Sequence, residues 1–407
     1  MRTSVSGFNT TGLNSCVKTY ALGDETILFL QDTGRLLCLN PTAALIWKGL
    51  ESGLTLDNVA EMLASISGRG TDEIKRDVLR FNTELEKAGA FGSPTGYLEE
   101  KIQATAIPRA PVVDELQSAT LEDHTHRERT YRLVDLNFKL RTPSAAIDEA
   151  AQALLGHLTR TLSDSAPVVL QVVMDRRDGG ERWILLRDGK VADECSDSTS
   201  IVPMLHANLL VMAYLNSRCL AAVHAAAVTR RERCVLLPAI SGSGKSTLTA
   251  ALLAAGFGYC TDDLALLTGE PVRVRPVPTC LGLKRGSWNV LAERIPQIAD
   301  LPIYLRPDGQ TIRYLPPPAL ESEVQASYAV HCIVFPVYVK GSLIRLRPLS
   351  SAEGLSRLAE AGYDLPHRIN TDIVETLIKW ISNIPCFELH YSELDQAVDQ
   401  ILKLMTE

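Results

Sequence analysis

The chain has 407 residues, of which 46% are hydrophobic and 22% are charged, a balance typical of a globular protein with two to three domains. Its net charge of −7 argues against a nucleic-acid backbone as partner, because that partner requires clustered Lys and Arg. The first residues lack the apolar core of a signal peptide, and polar side chains interrupt the longest apolar stretch, residues 201–228. We therefore expect a cytoplasmic protein that binds no nucleic acid and does not span a membrane.

Residues 1–95 predict a small α+β module of winged-helix type. Short alternating apolar runs separated by turn residues are typical of strands, and three runs at helical spacing follow them. Asn40 stands at an N-cap position, Pro41 at the first helical position, and Gly89 ends the last helical run. The predicted elements are strands at 17–22, 26–30 and 35–39, and helices that begin at Asn40-Pro41, after Thr55 and near Thr71.

The next two segments carry no catalytic pattern. Residues 96–129 are polar, contain prolines and lack a sustained period, which predicts a linker. Residues 130–200 predict a small α+β middle module. Its expected elements are a strand at 132–140, a helix at 144–162 and paired strands at 168–174 and 183–186.

The most informative motif lies in residues 201–407, where a Gly- and Ser-rich loop joins an apolar strand to an apolar helix. The loop reads Ala239-Ile240-Ser241-Gly242-Ser243-Gly244-Lys245-Ser246, which is the spacing of a P-loop with Ala at the first position. Glycines let backbone amides turn toward a phosphate, and the helix N-terminus adds a positive dipole. We therefore expect an α/β core that binds ATP with Mg²⁺. The predicted nucleotide-binding residues are Ser241, Gly242, Ser243, Gly244, Lys245, Ser246 and Thr247.

A carboxylate pair follows the helix after a short strand. Lys245 is expected to reach the β- and γ-phosphates, and the Ser246 hydroxyl to ligate Mg²⁺. Asp262 and Asp263 then supply carboxylates for two tasks, which are binding Mg²⁺ and acting as base toward an incoming hydroxyl. The residues alone leave open which Asp has which task, and a solvated turn is the alternative interpretation.

A histidine precedes the loop within another apolar run. His224 lies in residues 221–228, which predict a strand beside the strand that leads into the loop. A His in such a run is more often a core residue than a functional one. The functional alternative is a hydrogen bond from its ring to a phosphate or to one of the aspartates.

Residues 201–407 resemble the HPr kinase/phosphorylase group, and more closely its shorter HPr-kinase-related branch. The resemblance implies a P-loop kinase core, ATP-dependent phosphorylation of a protein serine, and functional roles for the residues at the family's positions. Residues 130–200 resemble the extension that commonly precedes this core. The matching segments are Val223-His224-Ala225, 239–246, 256–263, 276–278, 281–284, 334–336 and 387–392, and the implied functional residues are His224, Lys245, Ser246, Asp262 and Asp263.

The chain departs from that family at one place. True HPr kinase/phosphorylases carry an Arg-Gly-type signature loop after the Asp pair, and this loop is not recognisable here. The segment 283–286, with Lys284 and Arg285, is the expected substitute as a substrate loop. This departure argues against HPr itself as the substrate.

Residues 1–95 resemble PqqD-like modules. The strand pattern and the run from Leu39 to Trp47 carry the resemblance. Members of this family bind leader segments of ribosomally made, modified peptides, and the implied mode is a peptide that adds a strand to an exposed sheet edge. A dimerisation or packing module is the alternative, so an oligomer stays possible.

Together these features predict an ATP- and Mg²⁺-dependent Ser/Thr kinase that acts on a peptide or protein recruited by its N-terminal module. Two other functions stay open, a nucleotide-gated peptide-binding chaperone or scaffold and a small-molecule P-loop kinase. The Asp pair and His224 favour a kinase, because a gated scaffold needs no base beside the γ-phosphate. The acceptor, the choice of ATP or pyrophosphate as donor, reverse phosphorylase activity and the oligomeric state are left open.

Overall fold

A computed structural model describes residues 17–32, 34–90, 126–158, 166–175, 181–240, 242–318, 327–361 and 370–406. The elements before residue 200 are β1 (Val17–Leu22), β2 (Glu25–Leu30), β3 (Arg35–Leu39), α1 (Pro41–Glu51), α2 (Leu56–Ser67), α3 (Thr71–Ala88), β4 (Arg127–Leu133), β5 (Leu136–Thr142), α4 (Ala145–Leu155), β6 (Val168–Asp175), β7 (Arg182–Arg187) and β8 (Lys190–Cys195).

The second half of the chain alternates strands and helices. Its elements are α5 (Ile201–Leu215), β9 (Ala221–Val223), β10 (Ala225–Arg230), β11 (Arg233–Pro238), α6 (Lys245–Ala254), β12 (Gly258–Thr261), β13 (Ala265–Thr268), β14 (Arg273–Arg275), β15 (Leu281–Lys284), α7 (Arg285–Leu291), β16 (Tyr304–Leu305), β17 (Thr311–Leu315), β18 (Tyr328–Tyr338), β19 (Arg345–Leu349), α8 (Ser351–Glu360), α9 (Thr371–Ile381), β20 (Cys386–Tyr391) and α10 (Leu394–Leu404).

The chain divides into two compact units that cut across the predicted domain ranges. The first unit combines Met1–Thr105 with Leu349–Ala359 and Asp364–Asn383, and the second contains the rest. Helices α8 and α9 therefore belong with the N-terminal strands, although they lie within the predicted range 201–407. Most of the predicted linker, residues 96–125, lies outside the described residues. Strand β4 begins at Arg127, before residue 129, where the linker was predicted to end.

The first unit is built on an antiparallel sheet in the order β1-β2-β3, followed by helices α1 to α3 as the sequence predicts. The helix starts follow from side-chain caps, because Asn40 Oδ1 accepts from the Ala43 amide at 2.8 Å and Thr55 Oγ1 accepts from the Asn58 amide at 3.2 Å. The helices pack on one face of the sheet through an apolar core. Its members include Leu28, Leu30, Trp47, Val59, Val78 and Leu85.

The other face of the same sheet is also buried. Ile27 and Phe29 alternate with the core-facing leucines of β2 and are fully buried, although they are not part of the core formed with α1 to α3. Side chains of the strands bond to α8 and α9. The Cys38 thiol donates to the Ala352 carbonyl at 3.2 Å and Gln31 Nε2 donates to Thr371 Oγ1 at 3.0 Å. We infer that α8 and α9 cover this second face, which places them in the first unit.

The second unit begins with a five-stranded sheet in the order β4-β5-β6-β7-β8, accompanied by α4. The prediction of a single strand at 132–140 is wrong. The chain turns at Val134, whose φ of 57° is left-handed, and β4 pairs with β5 as a hairpin. The predicted pairing of the strands at 168–174 and 183–186 is confirmed by β6 and β7.

A nine-stranded sheet positions the candidate site. Its order is β12-β10-β11-β18-β14-β13-β9, with β20 beside β18 and β19 beside β20. Strands β11, β18 and β20 are parallel, so their carboxyl ends meet at one edge. Helices α6 and α10 share a buried core with this sheet and with β15, to which Val235, Leu248, Leu252, Leu283 and Ile401 contribute.

Helix α5 is the most apolar helix of the second unit. Within the described ranges, the segment Ser198–Leu215 is long and apolar enough to cross a membrane. Most of this segment is buried inside the unit, and a core helix meets the same criteria. Its burial accounts for its composition, and its one histidine, His206, is buried with it.

Candidate functional site

The glycine-rich loop connects β11 to α6 at the edge where the parallel strands end. Gly242 and Gly244 have φ values of 90° and 87°, which L-residues with a Cβ atom rarely adopt. The apolar strand Arg233–Pro238 and the helix that starts at Lys245 flank the loop as the sequence predicts. Ser246 and Thr247 are half-buried in the first turn of α6, and the predicted Ser241 lies outside the described residues.

Two tyrosines hold the loop from the side of β18 and β20. The Tyr391 hydroxyl donates to the Gly244 carbonyl at 3.2 Å, and the Tyr338 amide donates to the Ser243 carbonyl at 3.2 Å. A Cβ atom at Gly244 would lie 2.5 Å from the Tyr391 hydroxyl and 3.1 Å from the Tyr338 Cβ. Gly244 is therefore required both for its backbone conformation and for this close approach. The sequence interpretation assigned no role to either tyrosine.

Lys245 is buried at the start of α6 and points at the carboxylate pair. Its Nζ donates to the backbone carbonyl of Asp262 and to Asp263 Oδ1 at 3.0 Å, and it lies 3.4 Å from Asp262 Oδ1. Burial by itself lowers the pKa of Lys245, but the two carboxylates outweigh it and raise the pKa above its usual value. The residue is therefore a buried cation held by two anions.

The two aspartates have different environments although they are adjacent. The Asp262 side chain is 1% exposed and that of Asp263 is 27% exposed. Burial raises the pKa of Asp262, and Lys245 and the Ser246 hydroxyl offset this only in part. Burial also acts to raise the pKa of Asp263, but Lys245 and His224 outweigh it and hold this pKa well below its usual range. The geometry thus separates a buried carboxyl from a firmly ionised, accessible one.

His224 lies at a break between two strands, so the predicted continuous strand at 221–228 is wrong. The His224 amide donates to the Ala361 carbonyl at 2.7 Å, and its carbonyl accepts from the Ala239 amide at 3.3 Å. These bonds divert the backbone between β9 and β10 and turn the ring toward the pair, with Nε2 3.4 Å from Asp263 Oδ1. The structure therefore brings His224 to the Asp pair, and β10 is the strand that runs beside β11.

A shell of buried aromatic rings surrounds the pair, and sequence reasoning missed it. His206 Nε2 lies 3.2 Å from the Cys280 carbonyl, and its ring packs against Tyr314 with 4.8 Å between centroids. Burial lowers the pKa of His206, although the charge of Asp263 opposes the shift. The Tyr259 hydroxyl donates to the Thr279 carbonyl at 2.7 Å. Such residues appear in the sequence as ordinary core positions, so no local signal identifies them.

The predicted substrate loop lies at the junction of β15 and α7. Lys284 ends β15 and Arg285 begins α7, where Arg285 is exposed. Leu281 and Leu283 of the same strand join the core under α6. The role of Lys284 and Arg285 in a substrate loop stays a prediction.

The site has polar groups that suit a nucleotide with Mg²⁺. Asp262 Oδ2 and Ser243 Oγ are buried, and neither has a hydrogen-bond partner among the described residues. Ser246 lies near enough to Asp262 to lower its pKa. Within the described ranges no group of three His, Cys, Asp or Glu side chains converges as a metal site. A magnesium ion would therefore depend on Ser246, Asp262 and phosphate oxygens, which are ligands that Mg²⁺ prefers.

Comparisons with known proteins identify the N-terminal module. Residues 25–90 match the profile of the family described as coenzyme PQQ synthesis protein D (PqqD), which confirms the predicted PqqD-like module. The chain is also similar to the structure of TbiB1 in complex with the TbiA(beta) leader peptide. The identity is 21%, over 21% of this chain and 98% of that chain, with a TM-score of 0.20.

A second solved structure is similar to a larger part of the chain. It is the HPr(Ser) kinase/phosphatase from Coxiella burnetii, at 13% identity over 46% of this chain and 97% of that chain, with a TM-score of 0.21. A comparison with curated proteins finds no match.

Proposed function

We propose that the chain is an ATP- and Mg²⁺-dependent kinase that phosphorylates a Ser or Thr hydroxyl of a peptide or protein. One observation carries the proposal. Lys245, directly after a glycine-rich loop, is buried between Asp262 and Asp263, and His224 contacts the more accessible aspartate. This arrangement contains the groups that P-loop phosphotransfer needs, which are loop amides, a cation for the phosphates, a hydroxyl and carboxylate for the metal, and a base.

Lys245 is the group that exchanges partners when nucleotide binds. In the absence of phosphate its charge is neutralised by the Asp pair. The β- and γ-phosphates of ATP compete for the same ammonium, and they are positioned by the loop amides and by the N-terminus of α6. Movement of Lys245 toward the phosphates removes the strongest interaction that lowers the pKa of Asp263. Nucleotide binding would therefore make Asp263 a better proton acceptor.

The different burial of the aspartates divides their tasks. Asp262 is almost fully buried beside Ser246, so these two would hold Mg²⁺, which supplies charge neutralisation for the phosphates. Asp263 is accessible to an incoming hydroxyl, and His224 contacts it. The acceptor oxygen bonds to the γ-phosphorus, the bond from that phosphorus to the β–γ bridging oxygen breaks, and the hydroxyl proton passes to Asp263.

The PqqD domain supplies the reason to expect a peptide acceptor. Among the described residues its sheet ends at β1 on one side and at β3 on the other, and an edge strand is where a peptide can add a further strand. We propose that one of these edges binds the leader segment of a ribosomally made peptide precursor. Tethering the leader would raise the local concentration of the acceptor at the site.

The test is phosphate transfer from labelled ATP with Mg²⁺ to a panel of leader-bearing peptides encoded near the gene. Mass spectrometry would then locate a phosphorylated Ser or Thr, and the Lys245→Ala protein serves as the inactive control. Label on a peptide side chain supports the proposal. ATP hydrolysis without label on any peptide would instead support the gated chaperone or scaffold, and label on a metabolite would support a small-molecule kinase.

A further inference from the structure

An exposed apolar patch borders the glycine-rich loop. Ile240 in the loop is 69% exposed, and Tyr338, Val339 and Leu343, at and after the end of β18, are 47%, 44% and 89% exposed. These are four of the ten large hydrophobic side chains that are exposed in the described part of the chain. We call these four residues the apolar platform. Exposed apolar side chains that cluster in this way mark a binding site more often than isolated ones do.

Backbone hydrogen bonds attach the apolar platform to the loop. The Ser243 amide donates to the Ile240 carbonyl at 3.3 Å, and the Tyr338 amide donates to the Ser243 carbonyl at 3.2 Å. The Ser342 amide donates to the Val339 carbonyl at 3.0 Å, which closes the turn after β18. Ile240 and Tyr338 are therefore attached directly to the loop that would hold the phosphates, and Val339 and Leu343 lie at the turn that follows Tyr338.

The two flanks of the loop differ in chemistry because of the strand order. Strands β10 and β12 lie on one side of β11, and the segments next to them carry His224 and the Asp pair. Strands β18 and β20 lie on the other side and end at Tyr338 and Tyr391. The Asp pair contacts Lys245 at the end of the loop, whereas Tyr338 and Tyr391 contact Ser243 and Gly244 from the ends of β18 and β20.

We propose that the apolar platform binds the nucleobase of the nucleotide, with Tyr338 as the stacking side chain. This inference rests on the proposed function, because it needs phosphates in the loop. A nucleotide has an anionic end and a flat, mostly apolar end, and ligands of open α/β sheets bind outside the carboxyl ends of the strands. The acceptor hydroxyl requires the flank that carries Asp263, so the base is left with the opposite flank.

The aromatic ring at this position suits a base. Stacking of a base on an aromatic side chain needs only the π-face, so it requires no dedicated hydrogen bonds. The Tyr338 ring packs edge-on against the buried Tyr391 ring, with 5.7 Å between centroids and 68° between planes. This contact restrains the orientation of the half-exposed ring before any ligand binds.

The experiment compares a nucleotide with a ligand that has phosphates but no base. Isothermal titration calorimetry would measure the affinities of Mg-ADP and of inorganic tripolyphosphate for the wild type, Tyr338→Ala, Leu343→Ser and Tyr338→Phe. Tyr338→Ala keeps the Cβ atom and the amide that contact the loop, and Tyr338→Phe keeps the ring. Ile303→Ser removes an aliphatic side chain outside the platform that is 50% exposed, close to the 47% of Tyr338, and is the control.

The two ligands separate the possible outcomes. We expect Tyr338→Ala to weaken ADP binding about tenfold and to leave tripolyphosphate binding unchanged, with smaller losses for Leu343→Ser and none for Tyr338→Phe or Ile303→Ser. Unchanged ADP binding in both Tyr338→Ala and Leu343→Ser would overturn the assignment, and so would equal weakening of both ligands. A wild-type protein that binds neither ligand would refute the proposed function itself.

Discussion

Replacing Lys245 by Ala tests the candidate site through both activity and stability. The Lys245 side chain is 5% exposed and is bonded to Asp263 and to the backbone of Asp262, so its removal leaves the buried Asp262 carboxylate without its cation. Breaking a buried ion pair in this way costs about 3–5 kcal/mol of stability. Loss of the phosphate-binding charge is expected to lower phosphotransfer about 10²-fold or more. Urea unfolding and transfer from labelled ATP measure the two effects separately.

The loss of stability in Lys245→Ala is expected to depend on pH. In the wild type the depressed pKa of Asp263 contributes stability that is present above the unfolded-state pKa and is lost as the pH falls through the folded-state value. In Lys245→Ala the pKa of Asp262, already raised by burial, loses the cation that lowers it and rises further. The contribution of Asp262 to the stability of the variant is then present below the unfolded-state pKa and is lost as the pH rises through the folded-state pKa. The variant should therefore lose least stability, relative to the wild type, at acid pH.

A double-mutant cycle controls for unrelated damage. Asp262→Asn removes the buried charge that Lys245 neutralises, so Lys245→Ala with Asp262→Asn should be more stable than Lys245→Ala alone. The reasoning fails if Lys245→Ala keeps wild-type stability and turnover, or if its loss of stability is the same with and without Asp262→Asn.

Three further predictions follow from the same geometry. Asp262→Asn should raise the Mg²⁺ concentration needed for activity, whereas Asp263→Asn should lower kcat about 10²-fold or more with ATP affinity preserved. If activity depends on the Mg²⁺ concentration in the same way in both variants, the two aspartates do not have these separate roles. Gly244→Ala should lose nucleotide binding because the new Cβ meets the Tyr391 hydroxyl, and combining it with Tyr391→Phe should restore part of the binding measured by calorimetry. Deleting residues 1–95 should raise the KM for a leader-bearing peptide and change activity on the short core peptide little. It should also lower the melting temperature, since α8 and α9 lose the strands they cover, and an unchanged melting temperature would contradict that packing.

The features predicted correctly from the sequence depend on short-range rules. The helix start at Asn40 follows from one side-chain hydrogen bond within three residues, and the structure shows that bond at 2.8 Å. The glycine-rich loop follows from fixed spacing between an apolar strand and an apolar helix, and the strand, turn and helix are found there. In each case the residues that carry the sequence signal lie close together in the chain.

The errors concern geometry that distant residues decide. The apolar run around His224 has the composition of one strand, but its amide bonds to Ala361, which lies more than a hundred residues later in the chain. The hairpin at Val134 has no Gly or Asn-Gly signal, so its left-handed turn is hidden in a run that resembles one strand. The aromatic shell of His206 and Tyr314 is likewise formed by tertiary packing.

The assignment of α8 and α9 to the first unit changes how the two predicted functions are connected. These helices are inserted between β19 and β20 of the nine-stranded sheet, and Ala361, next to the end of α8, accepts the amide hydrogen bond of His224. The strand that follows α9 ends at Tyr391, which bonds to the loop at Gly244. The sheet of the PqqD-like module and the candidate site are therefore connected by two stretches of chain, in addition to the segment at 96–125. A PqqD-like module attached only by a linker could be removed without exposing a buried face, whereas removal of residues 1–95 here would expose the sides of α8 and α9 that cover the sheet of the same unit.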